Sequence, residues 1–415
     1  IRKFKIKSGS RGGFCRLSRV VFFCIIVKKK ADALRMTEQQ RREVEEILNG
    51  SFQPDLLAQL GGRLVYHAPV EAVDEQELET IFARLLARGY FPRLEKSDGQ
   101  VRLYVLPDLQ ERKKSRLWLH GLLFLVTVWT TMATGAMLLG KDWTRFFTHF
   151  SDLLVGWKYS FAVLTILSTH EFGHYFAARW HRVRVTLPFY LPLFLPVFNL
   201  GTMGAFIKIR SPIPNRRALL DIGVSGPLAG FVMSLLFLIY GYATLPDMAG
   251  IIAYVEKIHP WHPQGATVNL VLGKSLLFAF FNDVIGGGRL PMNELYHFPF
   301  IFAGWVGLLV TAINLIPIGQ LDGGHILYAL LGQRARVVGV LAFLGLVALN
   351  FYLVLELFSF IWVVWLLLIL FLIRFQHPPT LNDYVPLDHT RRVLGWTCLA
   401  IFVLCFSPLP VYIQP

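Results

Sequence analysis

Charge is scarce in this chain of 415 residues: Asp, Glu, Lys and Arg together make up 16% of it, against roughly 25% in soluble domains. So little polar surface cannot cover a soluble globule of this size. The 54% of hydrophobic residues and the mean hydropathy of +0.50 place the chain in a lipid bilayer. Cysteine is equally sparse. Cys15, Cys24, Cys398 and Cys405 form no C-x-x-C pair, which excludes a disulfide framework and a thiolate metal site. Acids are missing altogether from residues 1–30, where ten Lys and Arg supply most of the net charge of +14. The remainder is too nearly balanced to imply a nucleic-acid partner. No internal repeat or low-complexity tract is present. The apolar run Val20 to Val27 falls well short of the ~20 residues that span a bilayer. Residues 1–35 therefore read as a basic segment that is disordered, a targeting sequence, or the product of a start placed too early, since Met36 opens a more ordinary sequence.

Two regions follow. Residues 37–116 read as a small soluble α+β module of βαββ order. "RLVYHAPV" is a strand, and Asp74 can cap a helix with Leu78, Ile81, Phe82, Leu85 and Leu86 on one face. "FPRLEK", "SDGQ" and "VRLYVLP" make a hairpin. Residues 117–412 read as a multi-pass α-helical membrane domain, with spans near 117–139, 154–180, 219–245 and 300–331. Two short spans meeting near Glu356 fill 337–373, and 393–412 closes the chain. Basic clusters at 111–116, 179–184, 208–217 and 334–336, with Arg374 and the pair Arg391 and Arg392, all fall on one side. The positive-inside rule makes that side cytoplasmic or its equivalent. The sequon at Asn49 then lies on the wrong face for glycosylation.

Between the second and third spans, "VTLPFYLPLFLPVFNLGTMGAFIKIRSPIP" is apolar but carries Pro188, Pro192 and Pro196, so it cannot be one helix. Irregular backbone at membrane depth survives only when buried in protein or lining a cavity. The stretch reads as a re-entrant loop or strand pair. "GPLAG" (Gly226 to Gly230) in the third span reads as a helix-packing pattern.

The chemistry is concentrated in "LSTHEFGHYFAARW". His170 and His174 are one helical turn apart and point the same way, which suits two imidazole ligands on one Zn²⁺. Glu171, offset by about 100° on the helix, reaches a water in the open position without being a ligand. Alone, H-E-x-x-H is a weak motif, and the bland alternative is a pair of helix histidines satisfied by backbone. Ionisable groups inside a span are costly, however, and mark function. A catalytic zinc needs a third protein ligand. Asp322 in "NLIPIGQLDGGHIL" is an acid within an otherwise uncharged span; Gly323 and Gly324 would let the helix break there, and Pro317 and Gly319 loosen the same helix one turn earlier. The alternative for Asp322 is a helix cap after a turn.

"HEFGH" followed about 140 residues later by "NLIPIGQLDGG" resembles the site-2 proteases, intramembrane zinc metalloproteases whose second motif is N-x-x-P-x-x-x-L-D-G-G. Asn314, Pro317, Leu321, Asp322, Gly323 and Gly324 match its fixed positions. The stretches "LGTMGAFIKIRSP", "DIGVSGPLAG" and "PPTLNDYVPLDHTRR" are similar to the branch with chloroplast members and bacterial relatives. The resemblance implies His170, His174 and Asp322 as ligands of one zinc per chain and Glu171 as catalytic base. It also implies a role for Asn314 near the scissile carbonyl. Substrates would be transmembrane proteins in a lipid bilayer, in a bacterial inner membrane or, as the alternative, a plastid membrane. Two rivals stand beside it. A membrane di-iron hydroxylase or desaturase needs clustered histidines, whereas the other ten here are scattered, with only His259 and His262 paired. His325 could add a fourth ligand but reads better as a satisfied neighbour. A zinc-binding transporter or silent scaffold would show departures from the motif, and none occurs in the catalytic residues.

Overall fold

The computed structural model describes residues 37–48, 52–54, 64–69, 74–97, 99–107, 116–195, 199–258, 269–357, 359–373 and 377–414. The basic segment 1–35, the Asn49 sequon, Pro196, most of the 111–116 cluster, the pair His259 and His262, and Arg374 lie outside them. The chain divides into two units at Lys113 and Lys114.

In the first unit, helix α1 (Glu38–Leu48) and strand β1 (Gln53–Pro54) precede β2 (Leu64–Pro69), α2 (Glu75–Ala87), β3 (Tyr90–Ser97) and β4 (Gln100–Pro107). The sheet is antiparallel with order β1-β2-β4-β3. Alternation along β4 buries Val101, Leu103 and Val105 and leaves Gln100 and Arg102 in water. From α2, Leu78, Ile81, Phe82 and Leu85 are buried at helical spacing, while Leu86 is half-buried. Asp74 does occupy the N-cap position, but its side chain makes no capping bond. Its carbonyl accepts the Leu78 amide instead, at 3.0 Å. The tight turn after β3 needs the left-handed region, which Gly99 supplies at φ +73°. Tyr90 donates to Glu43 at 2.8 Å, and burial together with this bond pushes its hydroxyl up to about 12. Leu103 is fully buried at the centre of the sheet. Leu103→Ala is therefore expected to cost about 2–5 kcal/mol. Amide exchange over β2 and β4 of the intact chain should accelerate accordingly, and unchanged exchange would contradict this packing.

The second unit is mostly helical: α3 (Leu117–Met137), α4 (Trp157–Trp180), α5 (Arg216–Ala243), α6 (Pro299–Asn314), α7 (Asp322–Leu331), α8 (Ala335–Leu357) and α9 (His389–Cys405). Shorter helices fill the connections. Among the described residues, three helices are long and apolar enough to cross a membrane: Leu117–Met137, Arg216–Ala243 and Asp322–Leu357, the last running through a short 3-10 turn. Helix α4 is 24 residues long. The Lys158, His170, Glu171, His174 and Arg179 it carries keep it less apolar than those three.

The expected single span over 300–331 is two helices. Chain 315–321 leaves the helix at Asn314, and α7 begins at Asp322. Pro317 lacks a donor and Gly319 sits at φ +57°. The break therefore precedes Asp322 and does not fall at Gly323 and Gly324. Those glycines serve close approach, since a Cβ on Gly323 would stand 2.0 Å from the Leu315 carbonyl oxygen. The final span also ends early. Helix α9 stops at Cys405, and Val411–Gln414 pairs antiparallel with Asn269–Leu272. At its other end the Asp388 side chain accepts the Arg391 amide, which holds its carboxyl below the usual range.

The proline-rich stretch folds as a hairpin of β5 (Phe189–Pro192) and β6 (Thr202–Phe206), whose register shifts between Tyr190 and Pro192. Its irregular backbone is tied to neighbouring helices. His120 Nδ1 donates to the Pro188 carbonyl (3.0 Å) and Tyr159 to that of Leu200 (3.0 Å). Thr134 donates to Asn199 Oδ1 (2.8 Å), which also accepts the Gly201 amide (2.7 Å). Every such bond replaces one that water would make.

Candidate metal centre

Helix α4 carries the two histidines, buried to 4% and 6% exposure. Their Nε2 atoms stand 3.1 Å apart. Asp322, in the first turn of α7, brings Oδ2 to 3.3 Å from His170 Nε2 and 3.2 Å from His174 Nε2. The tautomer of His174 is fixed: its Nδ1 lies 2.7 Å from the Ile222 carbonyl oxygen, which can only accept. Nδ1 therefore carries the proton and Nε2 presents a lone pair to Asp322 and His170. With Nε2 of His170 unprotonated as well, two imidazole lone pairs and a carboxylate oxygen face one point, an arrangement that a bound cation stabilises.

The spacing fits zinc. Ligands at roughly 2.0–2.1 Å in tetrahedral array stand roughly 3.3–3.4 Å from each other, close to the three edges seen here. The donor set of two imidazoles and one carboxylate leaves a fourth position open, as in catalytic zinc sites. The bond from His174 to Ile222 is the outer partner that orients such a ligand. Among the described residues, this is the one group of three or more His, Cys, Asp or Glu able to hold an ion. Asp322→Ala removes one of the three candidate donors. It is expected to lower zinc affinity by more than the roughly 10–100-fold that a lost outer partner costs, as metal analysis of the purified chain after dialysis would read.

Glu171 is buried close to His174 and Asp322, and the Ile207 backbone, just past β6, lies near its carboxylate. The hairpin is held against the same helix by the hydroxyls of Tyr190 and Ser168, 2.7 Å apart. Asn314, the last residue of α6, places Nδ2 3.2 Å from His170 Nε2, on the ligand atom of that ring. All five residues named from the sequence thus converge on one point, drawn from three helices.

Two features escaped the sequence reading. Gly226, read there as helix packing, lies directly against the site: a Cβ on it would stand 2.1 Å from His174 Nε2. A Cβ on Gly230 would meet His170 Nδ1 at 3.1 Å. The four-residue spacing of these glycines on α5 matches that of the histidines on α4, a correspondence that was visible in the two motifs. The second feature is a histidine pair. His325 is not in the ligand group; its Nδ1 is 2.6 Å from Nε2 of His377, 52 positions away. The scatter of histidines along the chain conceals this contact.

The family model described as Peptidase family M50 matches residues 158–354. Among curated proteins, the chain is 31% identical over 255 residues to "Probable zinc metalloprotease EGY1, chloroplastic" of Arabidopsis thaliana, covering 60% of this chain and 42% of that one. It is 28% identical over 293 residues to "Probable zinc metalloprotease EGY2, chloroplastic" of Oryza sativa subsp. indica, covering 70% and 50%. The Arabidopsis EGY2 protein is 29% identical over 290 residues, covering 69% and 48%. The chain spans about half the length of the curated relatives it matches. No solved structure matches.

Proposed function

We propose, from the match of residues 158–354 to the model of peptidase family M50, that the protein is an intramembrane zinc metalloprotease of site-2 type. It cleaves peptide bonds within or near transmembrane segments of other membrane proteins. The observation that carries this reading is the triangle of His170 Nε2, His174 Nε2 and Asp322 Oδ2, with edges of 3.1–3.3 Å. These three residues hold the ion. Zinc bound there supplies Lewis acidity toward a peptide carbonyl and a water.

Glu171 takes the proton of the attacking water and passes it to the leaving amine nitrogen. Asn314, beside the ligand atom of His170, orients the substrate carbonyl through its side-chain amide. Gly226 and Gly230 let α5 lie close enough to lock both imidazole rings. A substrate helix hides its peptide bonds in hydrogen bonds, so it must unwind before attack. Among the described residues strand β6 pairs only with β5, and its other edge accepts the unwound segment as an added strand. In this reading the β5–β6 hairpin is re-entrant, residues 37–116 form a soluble module on the basic side of the membrane, and one zinc serves each chain. The word "chloroplastic" in the relatives' names favours a plastid membrane over a bacterial one as its location.

Elemental analysis of the purified protein tests the metal. About one zinc per chain is expected, with cleavage of a helical model substrate lost on chelation and restored by zinc. Two irons per chain would establish the hydroxylase alternative instead. Bound zinc without cleavage of any transmembrane substrate would leave a scaffold or transporter.

A further inference from the structure

Beside the site lies a cavity of about 640 Å³. One wall is the chain leaving the hairpin, Phe206 to Ile209. Another is the strap His377 to Thr380 that precedes α9, and Gln320 and His325 close it from the α7 side. Two of its lining residues are neighbours of the candidate centre. Ile207, whose backbone lies near the Glu171 carboxylate, belongs to its first wall. His325 stands one turn beyond Asp322 on the same helix.

The walls are mostly apolar, with Phe206, Ile207, Ile209, Ile213 and three prolines among them, and no carboxylate lines them among the described residues. Their charge is that of Lys208. Its backbone is fixed by a reciprocal pair of 3.0 Å bonds with Thr186, while among the described residues its ammonium makes no hydrogen bond or ion pair. The strap does carry an acid, Asp383, but this accepts from Tyr328 (2.6 Å) and from the Thr380 hydroxyl (2.8 Å) and amide (3.1 Å). Tyr328 also stacks on the His377 ring at 4.4 Å, and His377 meets His325 at 2.6 Å. These contacts fix the strap as a wall and bind its carboxylate elsewhere, leaving Lys208 to set the electrostatics.

Resting on the protease reading above, we propose that this cavity is a substrate subsite. It takes the extended segment of the membrane-protein substrate next to the scissile bond and selects an acidic side chain there, through Lys208. A Lys or Arg at that position finds an apolar wall and a like charge. An Asp or Glu finds the Lys208 ammonium and the Gln320 amide. The apolar neighbours of the acidic residue pack on Phe206, Ile209 and the prolines.

The test uses the full chain in nanodiscs. Two fluorescent transmembrane substrates are matched except for one residue, Asp or Lys, scanned over the positions flanking the cleaved bond. Binding is read on the Glu171→Gln form and on Glu171→Gln with Lys208→Glu, and cleavage on the wild type and on Lys208→Glu. At one flanking position the Asp substrate should bind tighter than its Lys twin by about 3- to 10-fold, the range expected for a partly exposed charge pair. Lys208→Glu should erase or invert the ratio, with kcat/KM following it. A ratio that Lys208→Glu leaves unchanged at every position overturns the proposal. So does a Lys208→Glu effect that tracks the anionic lipid content of the nanodisc and ignores substrate charge, which would make the cavity a lipid headgroup site. Charge-dependent binding without cleavage would support the subsite and sink the protease reading instead.

Discussion

Glu171→Gln is expected to cut peptide-bond hydrolysis by about 10²–10⁴-fold, the usual contribution of a positioned general acid–base group, while zinc content stays that of the wild type. The separation follows from the geometry. The three ligand atoms belong to His170, His174 and Asp322, and Glu171 contributes none of them. Glutamine keeps the shape of the side chain, but it cannot take a proton from water. The measurement is paired: zinc per chain by elemental analysis and cleavage of a transmembrane substrate in the same preparation. Wild-type cleavage by the variant would remove Glu171 from the chemistry. Loss of zinc would show that Glu171 supports the ligands and does not act as the base.

The second large effect belongs to a residue with no functional group. Gly226→Ala places a methyl where the His174 ring now stands, at 2.1 Å from Nε2 and 2.4 Å from Cδ2 and Cε1. No real contact is that short, so either α5 moves away from α4 or the ring turns. Both breach the site. The ring is held by its 2.7 Å bond to the Ile222 carbonyl, and α4 already touches α5 at Gly173, where a Cβ would meet the Ser225 carbonyl oxygen at 2.6 Å. Displacing a reacting group by about 1 Å costs on the order of 10² in rate. A fall of at least that size in kcat/KM is expected, together with weaker zinc retention. Gly345→Ala on α8, where a Cβ meets nothing within 4 Å, is the control and should retain full activity. If Gly226→Ala kept zinc and activity together, the two helices would not be as tightly apposed as the structure has them.

Much of the site is legible in the chain because its information is local. His170 and His174 must share a helix face wherever a helix forms, since four residues make slightly more than one turn. Glu171 cannot then be a third ligand from that face. Asp322 is conspicuous because a carboxylate amid apolar sequence costs several kcal/mol unless something holds it. The helical spacing of Leu78, Ile81, Phe82 and Leu85 and the alternation in β4 are local in the same sense.

Other features depend on which segments meet, and the chain alone does not specify that. The span expected over 300–331 divides because the turn at 315–321 folds back so tightly that Gly323 touches the Leu315 carbonyl. Asp322 then opens a helix, where its carboxylate faces α4. A glycine pattern in an apolar helix announces close approach to something, but only the packing of α5 on α4 makes that neighbour the imidazole of His174. The His325–His377 contact and the cavity beside it join residues 52 positions apart. What the sequence by itself determined is the inventory of this protein: an apolar, helical chain and the His170, Glu171, His174 and Asp322 side chains as candidates for a metal site and its base. The tertiary structure decided how two helices, α4 and α7, bring the three donor atoms within 3.1–3.3 Å of one another, because periodicity fixes the face of a helix while only packing fixes what that face meets.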